Sequence, residues 1–212
     1  MTDGILDVLK FEKKPIPRDV LEAITKVSIK YSSMNNLRPV EFIAIDGKEV
    51  RDVIQVMIEA SRPNAPMLGP SYKVILSKIM ERAPPLIVVI LSDTRFKSAL
   101  SETVDKEEII DMIVGASIQT MQLAIISLGL SSSWISVTKD EQERMVELLK
   151  VPEHMELKSL VYIGYRESEI RMIETRPMKE VLHYGKYDEK KGMNDQEVRE
   201  FIVTKTKGYG RT

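Results

Sequence analysis

The chain has 212 residues, of which 43% are hydrophobic, which is enough to bury a core as one domain or one domain with an appendage. Lys and Arg number 31 against 32 Asp and Glu, so a net charge of -1 provides no field for a polyanion, and nucleic acid is not expected as a partner. Cysteine is absent, which excludes disulfides, thiolate nucleophiles and cysteine-ligated metals.

Membrane insertion and export are not expected from the sequence. The N-terminal MTDGILDVLKFEKK contains no apolar run of signal-peptide length, which predicts a cytoplasmic protein. Residues 108–130 are strongly apolar, but Asp111, Ser117, Gln119 and Gln122 interrupt them. A spanning helix needs roughly 20 mostly apolar residues in a row, so this segment is predicted to be a buried helix of a soluble protein.

The first half of the chain alternates between helical and extended patterns. Apolar residues at helical spacing predict helices over 17–33 and 47–66, the second broken by prolines, and a short helix within 71–85. The run LIVVIL at 86–91 is continuously apolar, which is typical of a strand covered on both faces. The predicted sheet is therefore sandwiched between helices.

The second half continues the alternation and ends in a different kind of segment. Strands are predicted at 132–138 and 158–165, with a helix at 139–152 between them. Residues 188–212 are rich in charge and glycine, and their island EFIVTK (200–205) predicts a strand that needs a sheet edge, which a second subunit can supply. We therefore expect a domain at 1–187 and a C-terminal arm at 188–212 that packs on a partner subunit.

Common catalytic motifs are missing. The chain has neither GxGxxG nor GxxxxGK[ST], and the serines at 131–133 lack a GxSxG frame. Its two histidines, His154 and His183, lie far apart without clustered carboxylates, so no metal site is predicted. Trp134 and the methionines on the helix faces are predicted to lie in the core rather than against a cofactor.

Several segments resemble, in order, the signatures of the nitroreductase family. NLRP (36–39) followed by VEFIAI is similar to the family's N-x-Q-P-W-x-F-I. The other similar segments, spread over about residues 14–187, are KKPIPRDVLEAI, APPLIVVI, IQTMQLAIISLGLSSSWI, ERMVELLKVPE, SLVYIGY and TRPMKEVLHY. The resemblance implies an α+β, nitroreductase-like fold with a central mixed β-sheet flanked by helices and a long central helix at a dimer interface.

The resemblance also implies a function. Family members are homodimers that bind two FMN molecules at the subunit interface. The flavin takes hydride from NADH or NADPH and then reduces a nitroaromatic, quinone or similar small planar acceptor in a ping-pong cycle. Because the cofactor carries this chemistry, the protein has to supply donors for the pyrimidine edge, cations for the phosphate and an apolar bed for the ring.

Candidate cofactor-binding residues follow from these requirements. Asn36 and Arg38 are expected to donate to the pyrimidine edge, Ser33 and Asn35 to reach ribityl or phosphate oxygens, and the backbone around Ser136 to face the ring. Asn, Ser and Pro before a strand are also ordinary turn residues, so a purely structural role for this stretch stays open.

The N-terminus departs from the family pattern. Ile5, Asp7 and Leu9 stand where the family has polar and cationic residues, and a missing cation removes a charge-assisted hydrogen bond to the phosphate. Three cations are expected to compensate: Lys10, Arg38 and Arg176. An alternative is a family member with weakened or lost flavin binding that acts as a dimeric ligand-binding or interaction protein. A third possibility is a nucleic-acid contact through the tail KTKGYGRT.

Overall fold

The computed structural model describes residues 11–34, 36–60, 79–81, 83–167 and 176–207, with side chains up to residue 201. The chain divides into two compact units, Met1–Arg171 and Met172–Thr212. The described helices of the first unit are α1 (Arg18–Tyr31), α2 (Glu49–Ala60), a 3-10 helix (Thr94–Ala99), α3 (Lys106–Ser127) and α4 (Lys139–Leu149). Residues 79–81 are also helical, and most of the helix predicted within 71–85 lies outside the described residues. Its strands are β1 (Val40–Asp46), β2 (Leu86–Asp93), β3 (Ser131–Ser136) and β4 (Met155–Gly164).

The described strands form one sheet in the order β1-β2-β4-β3, and all three pairings are antiparallel. The α+β class is confirmed, but the sheet differs from the predicted mixed one, because no parallel pairing occurs among the described strands. Strand β2 starts at the sheet end where β1 finishes, and β4 starts at the sheet end where β3 finishes. At one end of the sheet Val40 pairs with Ser92, Ser92 with Glu156, and Ser136 with Ser159.

The prediction of a sheet covered on both faces is confirmed. Every residue of β2 is buried. On one face Ile87, Val89 and Leu91 pack with residues of α2 and α4, and on the other Val88 and Ile90 pack with residues of α1 and α3. The two apolar layers explain why β2 reads as a continuous apolar run instead of an alternating one.

Helix α3 is the long central helix that the sequence predicts. Asp105 caps its start by accepting hydrogen bonds from the backbone N–H groups of Glu107 and Glu108, both at 3.0 Å. By length and composition this helix could cross a membrane, but 44% of its most apolar window is buried inside the protein. Its residues Ile110 and Ile118 lie in the apolar layer beneath the sheet, as expected of a core helix.

Gly164, the last residue of β4, sits against Phe11. A Cβ atom at Gly164 would overlap the Phe11 ring, lying 2.9 Å from its Cγ, and would lie 2.8 Å from Cδ of Pro85. We expect Gly164→Ala to lower the free energy of unfolding by about 2 kcal/mol, the usual cost of overpacking a core. Urea denaturation measures this change. In a Phe11→Ala background the cost should fall, and an unchanged cost there would contradict the proposed overlap.

The predicted strand at 200–205 is wrong, because these residues belong to a helix. The second unit contains α5 (Met178–Val181), a 3-10 helix (Glu189–Lys191) and α6 (Asp195–Lys207). The side chain of Asn194 accepts from the backbone N–H groups of Gln196 and Glu197, both at 3.0 Å, and Glu197 accepts from the backbone N–H of Asn194 at 2.8 Å. This reciprocal capping starts the helix, and each further residue then adds a helical hydrogen bond. These bonds outweigh the strand preference of the β-branched residues in EFIVTK.

Candidate functional site at one end of the sheet

The loop between α1 and β1 contains most of the candidate residues. Met34 and Leu37 face each other across a tight turn, closed by the Leu37 N–H donating to the Met34 carbonyl at 2.9 Å. Asn36 adopts a left-handed conformation with φ 63°, which asparagine tolerates better than most residues. Ser33 and Asn36 are exposed, and Asn35 lies outside the described residues.

The structure brings Asn36 and Arg38 together. The Arg38 Nη1 group donates to the backbone carbonyl of Asn36 at 3.4 Å and to its side-chain oxygen. Arg38 is exposed, and within the described part of the chain these are its only hydrogen bonds. A guanidinium has five N–H donors, so most of them point to solvent or to a ligand.

Hydrogen bonds hold one end of this loop and the helix before it. In α1, one turn before the loop, the buried Ser28 hydroxyl donates to the carbonyl of Ser117 in α3 at 2.8 Å. On the β1 side, the backbone N–H of Asp93 donates to the carbonyl of Pro39 at 2.8 Å. The loop therefore starts from a helix held against α3 and ends on a residue bonded to the end of β2.

Asp93, at the end of β2, forms a paired contact with Arg95. Its carboxylate caps the following 3-10 helix by accepting from the Arg95 N–H at 3.0 Å, and it also accepts from the Arg95 Nε and Nη2 groups at 2.9 and 2.5 Å. The hydrogen bonds from the Arg95 side chain lower the pKa of Asp93 from its ordinary 3.8 to about 2.

This shift makes the stability contribution of Asp93 dependent on pH. A carboxyl whose folded-state pKa is lowered stabilises the protein above its unfolded pKa, about 4, and loses that contribution as the pH falls through about 2. We expect Asp93→Asn to cost about 1 kcal/mol at pH 7, since Arg95 is exposed and solvent screens the pair. The difference from the wild-type free energy of unfolding should shrink between pH 4 and pH 2. A difference that stays constant over that range would contradict the assignment.

A cavity of about 360 Å³ opens at the same end of the sheet, among α3, β3 and β4. Ser136, a candidate residue, lies in its wall. The other lining residues are Asp111, Val114, Gly115, Ile118, Trp134, Val137, Gln142, Glu156, Leu157, Lys158 and Ser159. Small-molecule sites typically have volumes of about 300–1,000 Å³, so this cavity is large enough for an aromatic ligand.

Trp134 is the aromatic side chain in the cavity wall. Its Nε1–H donates to the hydroxyl of Ser159 at 2.5 Å, and that hydroxyl donates to the carbonyl of Ile135 at 2.8 Å. The residue is 44% exposed, so the prediction that it belongs to the core is wrong. The reason is that β3 is an outer strand whose neighbour on one side is the cavity. Among the helix methionines the prediction holds for Met57, Met121 and Met145, which are fully buried, and is wrong for Met112 and Met178, which are 45% and 68% exposed.

Lys158 is surrounded by three carboxylates. Its ammonium lies 2.8 Å from Glu107, 2.9 Å from Asp111 and 3.0 Å from Glu156, and its side chain is only 12% exposed. Burial opposes its charged form, but the hydrogen bonds to the three carboxylates outweigh burial and raise the pKa of Lys158 well above its usual range. The bonds from Lys158 and Lys97 lower the pKa of Glu107.

The predicted site residues fall into three groups. Arg38 precedes β1 and Ser136 ends β3, so both lie at the same end of the sheet but at its opposite edges. Three strand spacings of about 4.8 Å separate these edges by roughly 14 Å. Lys10 and Asn35 lie outside the described residues. Arg176 belongs to the second unit, where its Nε is 3.8 Å from Glu180 in the next turn.

Sequence reasoning missed the cluster around Lys158. The signal available was the position of this lysine in the mostly apolar strand MELKSLVYIG, which also contains its partner Glu156, since a buried charge requires partners. Nothing in the sequence indicated that the other two partners come from α3, because Glu107 and Asp111 look like ordinary solvent-facing acids at a helix start.

The loop fits the pyrimidine edge of a flavin, whereas the cavity does not fit a phosphate. Arg38 and Asn36 provide exposed N–H donors, the groups that hydrogen-bond the carbonyls and nitrogens of that edge. In the cavity, Asp111 and Glu156 would repel a phosphate, and the ammonium of Lys158 is already paired. Of the cations predicted for a phosphate, Arg38 is not among the residues that line the cavity, Arg176 belongs to the second unit, and Lys10 lies outside the described residues.

Fold and site together define an α+β protein with an antiparallel sheet between helices and a polar, partly aromatic site at one sheet end. Residues 8–165 match the sequence profile of the Nitroreductase family. The chain therefore belongs to the nitroreductase family, and this membership indicates an oxidoreductase of the flavin type. No functionally curated protein has significant sequence similarity to the chain.

Solved structures with the same fold agree with this membership. Nitroreductase A from Vibrio parahaemolyticus is 19% identical with a TM-score of 0.71, covering 98% of this chain and 82% of its own. NfrA2 from B. megaterium is 18% identical with a TM-score of 0.71, covering 99% and 84%. An FMN-dependent nitroreductase from Clostridium difficile R20291 is 21% identical with a TM-score of 0.64, covering 85% and 95%. At these identities the similarity shows the fold alone.

Proposed function

We propose that the protein is a cytoplasmic, homodimeric, FMN-binding oxidoreductase. It uses NADH or NADPH to reduce a nitroaromatic, quinone or similar small planar acceptor in a ping-pong cycle. The observation that carries the proposal is the loop with Asn36 and Arg38, at the same sheet end as the cavity. The loop stands at the family's N-x-Q-P, with Arg38 in place of the glutamine. When bound, FMN supplies the two-electron chemistry.

The residues of this chain have binding and positioning tasks in that function. Arg38 and Asn36 would donate to the pyrimidine edge of FMN, and the positive charge of the guanidinium would favour the reduced, anionic form of the cofactor. Ser136 presents its backbone at the cavity. Arg38 and Ser136 lie roughly 14 Å apart across the sheet. One FMN molecule would therefore contact both either by extending across the end of the sheet or by binding between Arg38 of one subunit and Ser136 of the other.

A homodimer is supported by the outward face of α3. A helix that is apolar on all sides is normally buried on all sides, yet in the single chain Met112 is 45% and Leu123 46% exposed. A second copy of the chain would cover these residues. In the second unit Met178, Tyr184 and Tyr187, which precede the proposed arm at 188–212, are also exposed, and we propose that a partner subunit covers them as well.

Leu123→Glu tests the α3 interface. We expect the variant to sediment largely as a monomer at concentrations where the wild type is a dimer, because the interface would bury an unpaired carboxylate. Leu148→Glu, on an exposed leucine of α4, is the matched control and should leave the sedimentation unchanged. If both variants sediment like the wild type, α3 does not form the interface.

The alternative is a family member with weak or no flavin binding that acts as a dimeric ligand-binding protein. The specific observation in its favour is Ile5, Asp7 and Leu9, in place of the family's N-terminal polar and cationic residues. These residues lie outside the described part of the chain.

A visible absorption spectrum decides between the two functions. The purified protein is measured as isolated and again after FMN addition and dialysis. Retained oxidised-flavin bands that NADH or NADPH bleaches would support the oxidoreductase. A colourless protein that does not retain FMN would reject it and support the alternative.

A further inference from the structure

The cavity at the end of the sheet carries net negative charge, although a lysine lies in its wall. Asp111 and Glu156 line it, and both lie within 3.0 Å of the Lys158 ammonium. Glu107 is a third carboxylate on the same ammonium, at 2.8 Å, and Lys97 pairs with Glu107. With these three carboxylates against the two ammonium groups, the cluster keeps net negative charge at pH 7.

The same cavity has an aromatic wall and open space. Trp134 is held by its hydrogen bond to Ser159 while 44% of the residue stays exposed. The open space lies beside Gly115 of α3, which also lines the cavity: a Cβ atom at this position would meet no atom within 4 Å. A glycine inside a helix costs about 1 kcal/mol relative to alanine, and no neighbouring atom in the described structure explains it.

We infer that this cavity binds a planar aromatic ligand that is positively charged, in preference to a negatively charged ligand of the same size. The carboxylates of Asp111 and Glu156 attract the cation, and an indole favours cations over its face. The charge preference of the cavity does not depend on the proposed function. Only the role of the ligand rests on it, since in a flavin-dependent reductase this ligand would be the electron acceptor.

A charge series of nitroarenes tests the inference directly. The three probes are 4-nitrobenzylammonium, 4-nitrobenzyl alcohol and 4-nitrobenzoate, which are similar in size and all quench tryptophan fluorescence. Trp134 is the single tryptophan of the chain, so quenching reports binding at this cavity. We expect the ammonium to bind at least about tenfold more tightly than the carboxylate at low salt, with the alcohol between them. Raising the salt concentration should narrow the ratio.

Variants that remove single carboxylates test whether the cavity causes the preference for the ammonium probe. Asp111→Asn and Glu156→Gln should each reduce the ammonium-to-carboxylate ratio several-fold. Glu59→Gln removes the same charge from α2, where Glu59 pairs with Arg144, and should leave the ratio unchanged. Equal affinity for the three probes, tighter binding of the carboxylate, or equal effects of Asp111→Asn and Glu59→Gln would overturn the inference.

The experiment separates this inference from the proposed function. It is performed on the full-length protein with the flavin it retains and without pyridine nucleotide, so it does not depend on turnover. A protein that holds no FMN but selects the ammonium would support the cavity and reject the oxidoreductase. A protein that reduces nitroarenes without charge selection at the cavity would reject the inference alone.

Discussion

Lys158→Met is expected to lower the free energy of unfolding by about 2 kcal/mol at pH 7, less than for a fully buried pair, because the three carboxylates left without their partner are partly exposed and solvent screens their charge. Glu107, Asp111 and Glu156 would face one another without the ammonium that now lies within 3.0 Å of each. Urea denaturation followed by Trp134 fluorescence measures the loss.

The loss should depend on pH in a defined direction. In the variant, mutual repulsion raises the folded-state pKa of the carboxylates above their unfolded value of about 4, so the destabilisation appears as the pH rises through the range of about 4 to 6. In the wild type Lys158 lowers the pKa of Glu107, so part of the difference persists at pH 4, and the two proteins should converge only below pH 4. A constant difference between pH 4 and pH 7 would mean that lost packing, not charge, causes the effect.

Lys97→Met is the matched control for this prediction. Lys97 pairs with Glu107 alone among the described carboxylates, so its loss leaves one carboxylate that Lys158 still binds. We expect a cost of at most about 1 kcal/mol, the usual range for a partly exposed pair. Equal costs for the two variants would contradict the central role of Lys158 in the cluster.

Arg38→Gln is expected to weaken FMN binding by about 10- to 100-fold, the equivalent of one charge-assisted hydrogen bond of about 1.5–3 kcal/mol. It should also make the midpoint potential of bound FMN more negative, by roughly 30 mV for each tenfold loss of preference for the reduced form. Quenching of FMN fluorescence measures the affinity, and a spectroscopic redox titration measures the potential.

Two further measurements make the Arg38 result specific. Arg144→Gln removes an exposed arginine of α4 that pairs with Glu59 at 3.9 Å, and it should leave FMN affinity unchanged. Because Arg38 also bonds Asn36, the thermal stability of the variant has to be compared with that of the wild type. Unchanged affinity and potential in Arg38→Gln would remove this residue from the proposed site.

The sequence by itself determined the main elements and the family of this protein. The continuous run LIVVIL indicated a strand buried on both faces, since only such a strand has no polar side, and β2 is buried throughout. The interrupted apolar run at 108–130 indicated a buried helix, and α3 (Lys106–Ser127) lies there with eight buried residues. These properties depend on residues close together in the chain, so local pattern reveals them.

Tertiary structure decided the features that depend on residues far apart in the chain. It places Lys158 of β4 in contact with Glu107 and Asp111 of α3. It also places Trp134 in the wall of a cavity, because β3 is an outer strand of the sheet. It also placed Arg38 and Ser136 at one end of the sheet but at opposite edges, through the strand order β1-β2-β4-β3. Strand order and helix packing minimise the free energy of the whole chain, and no local pattern of residues encodes which distant groups they bring into contact.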